Sequence, residues 1–129
     1  MTRVLIDTHT FAWITSEPAR LSPAARGLIE TADATLASVV SLYEIAQKVR
    51  LGKWPEMALI VRNLNEEAFA IGVSLFSVTG PICVQAGLLD WPHRDPFDRM
   101  IAATALVLGL VLVSADPAFD GLPELRRVW

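Results

Sequence analysis

The chain has 129 residues, 53% of them hydrophobic, with 11 basic and 14 acidic side chains and a net charge of −3. This length suits one domain, residues 1–129, and the acidic balance excludes a protein that holds nucleic acid by general positive charge. The single cysteine excludes a disulfide framework, and the N-terminal segment has neither a signal peptide pattern nor a membrane-span pattern, so we expect a cytoplasmic protein that does not contact membranes.

The first part of the chain alternates short apolar runs with amphipathic segments. Val4 to Ile6 predicts a strand buried on both faces, and Thr8 to Ile14 a short helix or turn. A serine before a proline at Ser22-Pro23 predicts the start of a second helix, and Thr35 to Ser38 a second strand. These elements are typical of a parallel sheet with crossover helices.

The third predicted helix depends on a capping pattern. Ser41 and Glu44 have the S-x-x-E spacing of a capping box, which places Glu44 in the first helical turn. One long helix is then predicted from Pro55 to about Ile71, followed by a strand from Val73 to Val78 and a short helix from Pro81 to Leu89.

A charged segment begins the last predicted helix. Asp95 suits its N-cap, Pro96 its first position and Asp98 its third, and Gly109 suits the residue just past its end. The fourth predicted strand is Leu110 to Val113, and the chain ends in a short fifth strand over 126–129.

Alternating strands and helices predict an α/β domain with a central, mainly parallel five-stranded sheet flanked by helices. Ligands of such sheets bind outside the carboxyl ends of the strands. Asp7 ends the first strand and Asp116 follows the fourth, while Glu44 and Asp98 begin helices that start from the same edge. We therefore expect four acids to converge at one edge.

Carboxylates this close repel each other, at roughly 4 kcal/mol per pair at 4 Å and an effective dielectric of about 20, so a cation is needed. Oxygen ligands select Mg²⁺ or Mn²⁺, and the chain lacks the Cys/His clusters that zinc prefers. One or two such ions suit the attack of activated water on a phosphodiester, and they allow an acidic protein to accept a polyanion.

Four segments carry a family resemblance that covers nearly the whole chain. They are Leu5-Ile6-Asp7-Thr8-His9 with Trp13, Ser38-Val39-Val40-Ser41-Leu42-Tyr43-Glu44-Ile45-Ala46 with Lys48, His93-Arg94-Asp95-Pro96-Phe97-Asp98-Arg99 with Ile101-Ala102-Ala103, and Val113-Ser114-Ala115-Asp116 with Phe119. With these segments in this order, the sequence resembles PIN-domain proteins, and more closely the VapC toxins of bacterial type II toxin–antitoxin pairs.

The resemblance implies a metal-dependent endoribonuclease with a parallel sheet in the order 3-2-1-4-5. Asp7, Asp98 and Asp116 would bind the metal, Glu44 would bind it or orient water, and Ser114 would contact a ligand. The resemblance also implies an RNA substrate, a homodimer and a small VapB-like antitoxin that blocks the site.

Each acid also has an ordinary structural explanation. Asp7 could cap the turn after its strand, and Glu44 could be only the acid of the capping box. Asp98 could be a first-turn acid, and Asp116, before Pro117, a turn acid. These explanations stay open for each acid alone, and the set of four favours a metal site.

The neighbouring polar residues have two interpretations each. We expect Asp95 to be a cap rather than a ligand. Arg94 and Arg99 could hold phosphate, and Arg99 could instead pair with Asp95 or another acid. For His93 and His9 we favour local hydrogen bonds over acid–base roles. We favour packing over base stacking for the four tryptophans, Trp13, Trp54, Trp91 and Trp129.

Other functions remain alternatives to the toxin: a non-catalytic interaction module with the same fold, or a metal-dependent nuclease outside a toxin–antitoxin pair. A receiver-like signalling domain would need a lysine late in the chain, but none follows Lys53. A phosphohydrolase with an Asp-x-Asp pair is excluded because Thr8-His9 follows Asp7.

Overall fold

Five parallel strands form the centre of the protein in a computed structural model that describes all residues, 1–129. The strands run in the order β3-β2-β1-β4-β5, which confirms the predicted topology. Their bounds are β1 Arg3–Ile6, β2 Ala34–Ser38, β3 Val73–Phe76, β4 Val111–Val113 and β5 Arg127–Val128.

Six α-helices cover the sheet: α1 Thr8–Ser16, α2 Pro23–Thr31, α3 Val39–Arg50, α4 Leu64–Ala70, α5 Gly80–Leu88 and α6 Pro96–Leu108. No helix is both long enough and apolar enough to cross a bilayer. The predicted caps of α2 and α6 are confirmed, since Ser22 accepts a hydrogen bond from the Ala25 backbone N–H and Gly109 has a left-handed φ of 66°.

The central strand β1 separates two hydrophobic layers. Val4 and Ile6 are fully buried in the layer formed with α1 to α4, whereas Leu5 is fully buried in the layer formed with α6 and the chain after β4. This alternation follows from the twofold repeat of a strand. Burial on both faces explains why the run before Asp7 is wholly apolar.

The capping box predicted at Ser41 is wrong. Helix α3 begins three residues earlier than a cap at Ser41 requires, because Ser38 ends β2 and its hydroxyl accepts a hydrogen bond from the Val40 N–H at 3.2 Å. Ser41 lies inside the helix and its hydroxyl accepts a hydrogen bond from Thr8 at 2.9 Å. Glu44 therefore lies in the second turn of α3.

The single helix predicted from Pro55 to Ile71 is also wrong. Two short 3-10 turns, Pro55–Met57 and Val61–Asn63, precede the shorter helix α4. Met57 is fully buried while Leu59 is 95% exposed, so the apolar residues do not share one helical face. Tertiary packing of Met57 and Leu64 into the same core overrides the helical pattern.

Candidate functional site

Asp7 lies at the carboxyl end of β1 and caps α1. Its Oδ1 accepts hydrogen bonds from the Thr10 backbone N–H at 3.0 Å and the Thr10 hydroxyl at 2.6 Å. Its Oδ2 accepts a hydrogen bond from the Ser114 hydroxyl at 2.6 Å. Burial raises the pKa of Asp7 above its usual range, and the hydrogen bonds from Ser114 and Thr10 oppose that rise. A bound cation would favour the charged form further.

Asp98 lies in the first turn of α6, where the helix begins at the same edge. Its Oδ2 is 2.7 Å from Nε2 of His93. Burial raises the pKa of Asp98 to about 6, opposed by the His93 hydrogen bond and reinforced by the charges of Asp95 and Glu44. The predicted cap is confirmed, because Asp95 Oδ1 accepts a hydrogen bond from the Phe97 N–H at 2.8 Å.

Glu44 projects from α3 and is only 3% exposed. Its Oε2 pairs with Nζ of Lys48, one turn further along the helix, at 2.9 Å. Its Oε1 is buried and has no hydrogen-bond partner, and it is the one side-chain atom of the protein in that state. An unpartnered buried carboxylate oxygen is costly, and it suits a position that a cation would complete.

Asp116 follows β4 and is exposed. Its backbone N–H donates to the Ser114 hydroxyl at 3.1 Å, and its Oδ1 accepts from the Ala118 N–H at 2.9 Å, so it also caps the turn that follows. Asp116 and Asp7 line one cavity of about 290 Å³. Ser114 thus links the two acids through a single hydroxyl.

The four predicted acids lie along one edge without forming a single tight cluster. Asp7 shares a cavity with Asp116, and the charge of Glu44 acts on Asp98. The residues whose possible ligand atoms lie within 4.8 Å of one another are not the four acids. They are His93, Asp95 and Asp98. The candidate ligand atoms of the four acids are all carboxylate oxygens, and one of them, Glu44 Oε1, has no partner. Oxygen ligands of this kind suit a hard divalent cation.

Comparison with known proteins identifies the family. The PIN domain matches residues 4–125. The chain belongs to the PIN-domain family. A curated relative, ribonuclease VapC22 of Mycobacterium tuberculosis, is 31% identical over 119 residues, which are 90% of this chain and 88% of that protein. The chain is accordingly a VapC-like PIN protein.

Solved structures share the PIN fold at lower identity. A DNA-bound VapBC complex from Salmonella typhimurium has a chain that is 19% identical, with a TM-score of 0.69 over 99% of this chain and 98% of its own. A DNA-bound VapBC2 complex from Rickettsia felis gives 14% identity and a TM-score of 0.67, with 98% of both chains covered. These likenesses concern the fold.

The side chain of Arg99 in this PIN domain has a structural role. Arg99 does not form the ion pair with Asp95 that was one of the alternatives left open for it: all five guanidinium N–H groups donate to backbone carbonyls, at 2.6–3.4 Å. The acceptors are Ala86, Gly87, Leu89, Trp91 and His93. All five donors are used within the fold, which favours a structural role for Arg99 over the alternative of a phosphate contact. Arg94 is exposed beside Asp95.

Three residues that contact the candidate acids were not among the predicted site residues. Thr10 lies three residues after Asp7, the spacing by which a cap reaches a backbone N–H. Lys48 lies four residues after Glu44, the spacing of a helical ion pair. His93 was expected to bond locally, and its partner is Asp98. The first two spacings could have identified Thr10 and Lys48.

Proposed function

We propose that this PIN domain is a divalent-metal-dependent endoribonuclease and acts as the toxin of a type II toxin–antitoxin pair in the cytoplasm. The observation that carries the metal site is the buried, unpartnered Oε1 of Glu44 at an edge that holds further acids. Support for the substrate class comes from the relative at 31% identity, which is named a ribonuclease.

Asp7, Glu44, Asp98 and Asp116 would hold Mg²⁺ or Mn²⁺, as one or two ions. The bound ion would supply a Lewis acid for the phosphodiester and a hydroxide-like water at neutral pH. Ser114 and Thr10 orient the carboxylate of Asp7, and their hydrogen bonds oppose the rise in its pKa that burial causes. Lys48 balances the charge of Glu44 while leaving Oε1 free.

Asp98 and His93 form the part of the site that can hold a proton. With a pKa of about 6, the carboxyl group of Asp98 is mainly ionised at pH 7 and takes up a proton in mild acid. The 2.7 Å contact between Nε2 and Oδ2 allows the two side chains to share that proton. Protonation of Asp98 would weaken cation binding, so the affinity for the cation should fall as the pH is lowered through about 6.

The proposal includes two protein partners, a VapB-like antitoxin and a second copy of the chain. Two structures with the same fold are complexes named VapBC. Val84 and Leu88, one turn apart on α5, are 64% and 78% exposed. Adjacent exposed apolar side chains of this kind are typical of protein contacts.

Induced expression without an antitoxin tests the toxin function. We expect growth arrest that Asp7→Ala or Asp98→Ala relieves, because each change removes a metal ligand. Asp120→Ala serves as the control, since Asp120 pairs with Arg127 at 2.8 Å and is not one of the four acids. Arrest that persists at equal protein levels in both Asp7→Ala and Asp98→Ala would contradict the proposal.

A further inference from the structure

A second cavity lies beside the one that contains Asp7 and Asp116. It has a volume of about 380 Å³, within the range of about 300–1,000 Å³ for small-molecule sites. The two cavities share a wall, because His9 and Trp13 line both. A chain molecule bound at the acids could therefore extend along the rings of His9 and Trp13 into the second cavity.

Three aromatic rings line the second cavity. The ring of His9 is centred 4.9 Å from that of Trp54 and 5.7 Å from that of Trp13. His9 is exposed, whereas Trp13 and Trp54 are half-buried. Trp54 packs against the core, and the ring of Trp13 is centred 5.6 Å from that of Trp129, which packs against the same core. The tryptophans are thus held in place by the fold, and His9 presents a ring to solvent. Trp91, by contrast, is 6% exposed within the other core layer.

Basic residues slightly outnumber acidic ones in the lining of this cavity, although the protein as a whole is acidic. Arg20, Lys48 and Lys53 outnumber Glu17 and Glu56 among its charged residues. Arg20 Cζ lies 5.1 Å from the centre of the Trp13 ring, and Lys48 Nζ lies 5.2 Å from that of Trp54. Lys48 also pairs with Glu44, so its ammonium joins the cavity to the acidic edge. Aromatic faces among cations are the combination that binds single-stranded nucleic acid.

We infer that this cavity binds a nucleobase of the RNA strand, next to the phosphate held at the acidic edge. The inference rests on the proposed ribonuclease function and adds the place where the substrate is recognised. The base stacks on the exposed ring of His9, and Lys53, which is exposed and has no acidic partner, neutralises an adjoining phosphate. Stacking accepts any base, so the cavity sets the position of the strand more than its sequence.

Binding by a cleavage-silenced protein tests this inference. In an Asp98→Asn background, fluorescein-labelled hexaadenylate and an abasic hexamer with the same ribose–phosphate backbone are titrated by anisotropy. We expect His9→Ala to weaken hexaadenylate binding by about tenfold, within the range measured for loss of one stacked base, and to change abasic binding by less than about twofold. His9→Phe should retain the affinity for hexaadenylate, because it keeps a ring.

The control is Phe69→Ala, which removes an aromatic side chain that is 88% exposed. Phe69 lies at the end of α4, just before the amino end of β3 and therefore away from the carboxyl ends of the strands. The Phe69→Ala variant should bind both probes as the parent does. Unchanged hexaadenylate binding in His9→Ala, equal losses for both probes, or equal losses in His9→Ala and His9→Phe would overturn the inference. RNA cleavage by the wild-type protein is measured separately, so failure of the base site is distinguishable from failure of the ribonuclease proposal.

Discussion

At the scale of single residues, the site is defined by how each carboxylate is supported. Both oxygens of Asp7 accept hydrogen bonds, whereas Glu44 has one oxygen paired with Lys48 and one with no partner. Asp98 has His93 as its neighbour at 2.7 Å. These three acids, unlike the exposed Asp116, are buried or partly buried at a cost in free energy that a divalent cation would offset.

Ser114→Ala should weaken metal binding. The substitution removes the hydroxyl that donates to Asp7 Oδ2, and loss of such a contact typically costs about 10- to 100-fold in metal affinity. Calorimetric titration with Mn²⁺ measures the effect. Ser16→Ala is the matched control, because the Ser16 hydroxyl donates only to the Ala12 carbonyl within α1. Equal Mn²⁺ affinity in Ser114→Ala and wild type would show that this hydroxyl does not support the site.

Asp98 should make the metal-free protein less stable as pH rises. Its folded pKa of about 6 exceeds the ordinary 3.8, so the folded state binds more protons between these values and the free energy of unfolding falls across that window. The Asp98→Asn variant should not show this decline in the free energy of unfolding, because it has no carboxyl group to titrate at this position. It should gain roughly 1–2 kcal/mol relative to wild type between pH 4 and pH 7, a value reduced for partial solvent screening.

Urea unfolding of both proteins in EDTA, at several pH values, measures this difference. The comparison between the two proteins removes the contribution of other carboxyls, such as Asp120, whose pKa Arg127 lowers. A difference in stability that stays constant from pH 4 to pH 7 would contradict the raised pKa of Asp98.

Residue positions at the site were predictable where they follow from strand ends. Asp7 comes directly after β1 and Asp116 three residues after the end of β4, and Asp98 lies in a turn that Asp95 and Pro96 mark clearly. Glu44 was placed on the right helix from a wrong cap. The earlier start of α3 does not change the helix face on which Glu44 lies. The packing of α3, and not its cap, decides that this face is buried. Lys48, the partner of Glu44, follows from that face.

At the scale of elements, the start of α6 is held by Arg99. The guanidinium of Arg99 joins α6 to the carbonyls at the end of α5 and in the segment that leads to His93. This contact places His93 opposite Asp98. No pattern in the sequence predicts it, because a guanidinium that binds several carbonyls depends on how two helices and a loop meet in space.

Arg99→Met should destabilise the fold by roughly 2–4 kcal/mol, since it leaves several carbonyls without their charged donor. Chemical denaturation measures the loss. Arg94→Met is a control in the same segment, and because Arg94 is exposed its substitution should change stability by no more than about 0.5 kcal/mol. Similar losses in the two variants would indicate that the carbonyl contacts contribute little.

Elements differ in how well the sequence predicted them. The strands and α6 have strong local signals, namely short apolar runs, a cap followed by proline, and a terminal glycine. The segment from Pro55 to Ile71 has apolar residues at helical spacing, but Leu59 is exposed and Met57 is buried. Packing against α1 and α3 decides that segment, and packing is not visible in a local pattern.

At the scale of the whole molecule, the net charge does not describe the local charge around the site. The net charge of −3 would oppose a polyanion, yet the acids lie at one edge of the sheet, and three basic and two acidic residues line the cavity beside them. An acidic protein of this kind can bind RNA only through bound cations and a local cationic surface. The sheet topology makes this possible, because it brings the ends of β1 and β4 and the starts of α3 and α6 to one edge.

The most direct test of the account is cleavage of RNA by the purified protein. Wild type, Asp98→Asn and the control Asp120→Asn are incubated with total RNA in EDTA, Mg²⁺ or Mn²⁺, and the RNA ends are mapped. We predict cleavage by wild type and Asp120→Asn only when the divalent ion is present, and a loss of at least about 100-fold in Asp98→Asn. Cleavage that continues in EDTA, or that is equal in Asp98→Asn and wild type, would contradict the metal site.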